Sequence, residues 1–242
     1  MRSVGRPKVW VPAAALVAAL FGPAAVQAQA DPGQLPVLDI APSVLNYAQD
    51  ASVREGLQQA FAAAPVRRGA RAPARASLAY DSTPALRGQA LLAFAARAPD
   101  AASAEAVRTA FAHNDYDKAY RGLIASYGLA ADDVADAMTA YLVLGWLIVN
   151  RADDPHPGSV QAARDQIAET LADDPRYADV KARGPAGEEF KLLFVATHAG
   201  WNSARKDGTL PAYEAGIARN LAMSGFDMKT LDLTGAGFTA RR

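Results

Sequence analysis

The 242-residue chain contains no cysteine. No disulfide, thiol nucleophile, thiolate ligand or cysteine-linked lipid is therefore available to it. Histidine is almost as scarce. His113, His156 and His198 are the only three, and none stands in a His-Glu-x-x-His pair or a compact ligand spacing. An excess of either charge is also missing: basic and acidic residues number 25 each. That balance gives no reason to expect nucleic acid or an anionic membrane as a partner. A Gly-x-Ser-x-Gly elbow and a glycine-rich phosphate loop are absent, and Gly235-Ala236-Gly237 is a lone tail turn with no helix behind it.

What is present begins with an export pattern. Arg2, Arg6 and Lys8 precede an apolar stretch from Val9 to Val26, and the first acid is Asp31. Small residues at Val26-Gln27-Ala28 and Ala28-Gln29-Ala30 have the spacing a signal peptidase requires. The pattern predicts a Sec-type signal peptide over 1–30, cleaved after Ala30 or, alternatively, Ala28. The competing reading is an uncleaved anchor, which needs roughly 20 apolar residues, whereas Pro12 and Pro23 bracket a core of about 10. Arg2 and Arg6 are not adjacent, so a twin-arginine signal is not supported. Removal of the signal leaves 22 basic residues against 25 acidic ones, a mildly acidic chain. The expected location is periplasmic or secreted. There a chain without disulfides depends on a hydrophobic core, and the remaining length suffices to build one.

Residues 31–82 read as a flexible leader rich in proline, alanine and arginine. Pro32, Pro36, Pro42, Pro65 and Pro73 punctuate it, and Arg67, Arg68, Arg71 and Arg75 make a basic linker. One short helix is expected within it, where Ser52-Val53-Arg54-Glu55 forms a capping box ahead of Leu57 and Phe61. From Thr83-Pro84 to about residue 238 the pattern turns helical. Helices are predicted from residue 84 to about 97, 103–113, 115–127, 132–150, 160–172, 187–206 and 211–224. Gly184-Pro185 reads as a break before the sixth, and Ser159 as the cap of the fifth. Apolar residues cover nearly every face of 137–149, which marks a buried central helix. That run is too short to span a bilayer, so no transmembrane segment is expected in the mature chain. The tail 226–238 is expected to fold back as a lid, and no stretch alternates with the period of a strand. The fold class is therefore all-α: six to seven helices, orthogonal or bundle-like, around a central helix at about 132–150.

Chemistry is sparsely indicated. Asp115, Asp117, Glu188 and Glu189 are carboxylates that folding could bring together for acid–base work. His198 lies one turn before Asn202 beside Phe194 and Trp201, the setting of a half-buried packing residue. Asp153-Asp154-Pro155-His156 reads as a solvated turn. Asp132, Asp133 and Asp136 lack the order of a calcium loop and suit a helix N-terminus. Tyr116, Tyr120 and Tyr127 form a stripe that could line a ligand groove or serve as core. No metal, cofactor or nucleic acid is expected.

Several segments also carry a resemblance. They are Tyr127-Gly128-Leu129, Asp133, Ala135-Asp136-Ala137, Tyr141, Trp146, Asn150, Val160-Gln161-Ala162-Ala163-Arg164, Gly225-Phe226-Asp227 and Gly237-Phe238. Together they resemble an uncharacterised exported bacterial helical family, a domain of unknown function, over roughly residues 80–238. The resemblance implies a helical domain behind a signal peptide and brings no catalytic residues. The leading expectation for function is a non-catalytic binding or interaction protein of the periplasm, with an envelope protein as its partner. Two alternatives stay open: a cell-envelope hydrolase using Asp115 and Glu188, and a small-ligand carrier using the tyrosines.

Overall fold

A computed structural model describes residue 61 and residues 77–98, 100–112 and 114–241. The expected signal peptide, the arginine linker, His113 and all of the short leader helix except Phe61 lie outside the described residues.

Seven α-helices are described: α1 (Pro84–Ala95), α2 (Ala101–Ala112), α3 (Tyr116–Ile124), α4 (Val134–Asn150), α5 (Pro157–Ala172), α6 (Val180–Asp207) and α7 (Leu210–Met223). A two-stranded hairpin, β1 (Leu231–Thr234) and β2 (Gly237–Ala240), follows. The fold is thus mostly all-α. Among the described residues no helix is long and apolar enough to cross a membrane.

The expected central helix is α4. Every residue from Val134 to Ile148 is buried except Trp146. It packs most extensively on α6, then α5 and α7, while α1 and α3 pack on α6 and α2 on α1. Local chemistry sets the boundaries. Thr83 accepts the amide of Leu86 ahead of Pro84 at the first helical position. Gly128, at φ 67°, closes the turn after α3.

Several expectations need correction. His156, not Ser159, caps α5: its Nδ1 accepts the Gly158 amide at 3.1 Å, and Pro157 supplies the first helical residue. Gly184-Pro185 does not break α6, which runs unbroken from Val180. The clash that drives a residue before proline out of the helical region involves its N–H and its Cβ, and Gly184 lacks the Cβ. The tail is not free of strands. Thr234 pairs with Gly237 and Leu231 with Ala240, and Gly237 takes φ 90° after the turn. A four-residue strand gives too few alternations to be read from sequence.

The tail does fold back. Phe226, Met228, Leu231 and Phe238 are buried, Trp146 Nε1 donates to the Leu231 carbonyl at 2.9 Å, and Asn150 Nδ2 to that of Met228 at 3.0 Å. The Gln166 amide bonds both main-chain groups of Phe238, at 3.0 and 2.8 Å. Phe61 is buried with its ring 4.9 Å from Phe238. Packing also extends back before residue 83. Leu78 and Tyr80 are buried while Ser77, Ala79 and Asp81 are exposed, the alternation of an extended strand.

Candidate functional site: a lysine among three carboxylates

Among the described residues, a dense group of ionisable side chains lies where α3, the turn before α4, and α6 meet. Glu188 and Lys191 stand one turn apart on α6, Asp117 on α3 and Asp132 just before α4. Lys191 Nζ lies 2.8 Å from Asp117, 3.0 Å from Asp132 and 3.0 Å from Glu188. Both Lys191 and Glu188 are 0% exposed. Glu188 also accepts Tyr80 Oη at 3.1 Å, Ser82 Oγ at 2.6 Å and Tyr116 Oη at 2.6 Å. The Tyr80 ring lies 5.3 Å from the ammonium and the Tyr120 ring 5.8 Å.

These carboxylates have the mutual spacing of metal ligands, since one oxygen from each of Asp117, Asp132 and Glu188 lies within 4.8 Å of the others. The Lys191 ammonium already stands among them and supplies the positive charge that such a group requires. Arg121 adds a second cation, 2.7 Å from Asp117 and 2.8 Å from Asp132. Burial pushes the Asp117 and Asp132 carboxyls up. The hydrogen bonds and charges of Lys191 and Arg121 outweigh it and hold both below the ordinary carboxylate value. Burial, reinforced by Glu188, pushes the Tyr80 and Tyr116 hydroxyls well above theirs, so both remain donors.

A second buried centre adjoins it at the head of α4. Asp133 Oδ1 caps the helix by accepting Ala135 and Asp136 amides at 3.0 and 3.3 Å. Its Oδ2 takes the Leu78 amide at 2.7 Å and Arg164 Nη2 at 3.2 Å. Arg164 Nε bonds Asp136 as well. Arg164, Asp133 and Asp136 are all at most 3% exposed. Burial raises the Asp136 carboxyl above the ordinary value, and Arg164 and the Ala130 amide only partly offset it.

The anticipated residues are distributed unevenly. Asp117 and Glu188 meet at Lys191, but Asp115 is exposed and only caps α3. Glu189 points elsewhere and pairs with Arg97. Tyr116 and Tyr120 are buried at 5% and 0% exposure, at the lysine, whereas Tyr127 is half-buried and its carbonyl accepts the Gln161 amide. Two of the three tyrosines thus stand at the lysine and the third stands apart from it. Lys191, Arg164, Tyr80 and Ser82 belong to no catalytic motif, yet two of them carry a signal in the sequence. Lys191 sits amid Phe190, Leu192 and Phe194, and Arg164 amid Val160, Ile167 and Leu171, each a charge on an apolar helix face.

Comparisons with protein-family models, curated proteins and solved structures found no match. Some of the residues that carry the family resemblance bond with one another, and others bond the tail. Arg164 joins Asp133 and Asp136, Gln161 joins Tyr127, and Trp146 and Asn150 hold the segment leading to the hairpin.

His198 stands apart from both centres. Phe194 stacks on it at 6.3 Å, Trp201 meets it edge-on at 6.4 Å, and Asn202 Nδ2 lies 3.3 Å from its Nδ1. Burial, aided by the Arg205 charge, lowers its imidazole to about 4. A folded value below the unfolded one means that the contribution to stability is present above about pH 6.5 and is lost as pH falls toward about 4. The wild-type chain is expected to lose about 2–3 kcal/mol from this group between pH 7 and 4.5. Urea unfolding at the two pH values checks this, and His198→Phe should show a correspondingly smaller loss.

Proposed function

We propose that the chain is an exported, non-catalytic helical protein that binds or scaffolds a partner in the cell envelope. The observation that carries this reading is the saturation of the Lys191 cluster. Its lysine and its central glutamate are wholly buried, and Glu188 already accepts from Lys191, Tyr80, Ser82 and Tyr116. Catalytic carboxylates must reach substrate or water with a free lone pair or proton. Glu188 is committed inside the protein, and Asp115, the other acid of the hydrolase alternative, caps a helix on the surface. The basic, apolar and small-residue succession of residues 1–30 supports the export part of the proposal, and the family resemblance agrees with it.

The test uses the whole chain expressed in a Gram-negative host and cross-linked in the intact envelope. The expected result is a periplasmic protein beginning at Asp31 or Gln29, with one discrete cross-linked partner. A chain retained in the cytoplasm, or one that yields no specific adduct, overturns the proposal.

A further inference from the structure

We draw no further inference here: the strongest candidate, the surface patch at the C-terminal end of α6 where the exposed Arg205 guanidinium lies 3.9 Å from the half-buried Trp201 ring beside His198, is an outward helix face, and nothing in the structure shows what covers it.

Discussion

Lys191→Met is expected to destabilise the domain by about 3–5 kcal/mol, the cost of removing one member of a buried ion pair. The loss concentrates on Glu188, which is wholly buried and, among the described residues, has no other cation bonded to it. Asp117 keeps Arg121, and Asp132 keeps Arg121 and is partly open to water, so solvent screens its share. A domain of ordinary stability has only about 5–15 kcal/mol in total, so the variant should sit near its unfolding transition at room temperature. Urea denaturation followed by circular dichroism measures the change. Adding Glu188→Gln should recover much of the loss by removing the stranded charge. A change under about 1 kcal/mol would contradict a buried, fully charged cluster.

Arg164→Met carries a comparable expected cost, about 3–5 kcal/mol at neutral pH, because it leaves Asp133 and Asp136 buried without their cation. Here pH separates electrostatics from packing. The Asp136 carboxyl is already raised by burial, and Arg164 is the chief group that pulls it back. Without Arg164 it rises further. A carboxyl whose folded value exceeds its unfolded one contributes stability that is present below the unfolded value and lost as pH rises through the folded one. The deficit of Arg164→Met relative to wild type should therefore shrink as pH falls from 7 toward about 4. A deficit that stays constant across that range would mean that the lost packing of the side chain, not the stranded charge, dominates.

The helical part of this architecture was legible in the sequence because it rests on local rules. The all-round apolar pattern of 137–149 is α4, and Thr83-Pro84 and residue 115 stand at the helix starts that the pattern predicts. Failures came where a neighbour distant in sequence decides the outcome. Gly184-Pro185 carries the local signature of a break, yet Gly184 tolerates the helix and its missing side chain leaves room for Leu86. Leu78-Ala79-Tyr80 alternates over too few residues to stand out, and its place is set by distant partners, the Asp132–Val134 turn, Arg183 and Glu188. The site was half-legible. Asp117 and Glu188 are among the four carboxylates that the sequence offers for a shared site, but their positions cannot show that a lysine one turn from Glu188 stands between them. Charged residues on otherwise apolar faces were the usable signal, and Lys191, Glu188 and Arg164 all carry it.

The double bond of Gln166 to Phe238 has a consequence for solubility. A two-stranded hairpin has two open edges, and each offers unpaired main-chain groups to any passing strand. On β2 the carboxamide presents an acceptor to the Phe238 N–H and a donor to its C=O, so one side chain mimics the next strand of the sheet. Recruitment of a second molecule at that position would first have to displace it. The shape of Gly237 matters for the same reason, since a side chain there would collide with the Gln166 amide and the Ala162 carbonyl. On the β2 edge, one glutamine on a helix stands where a strand of a second molecule would have to pair.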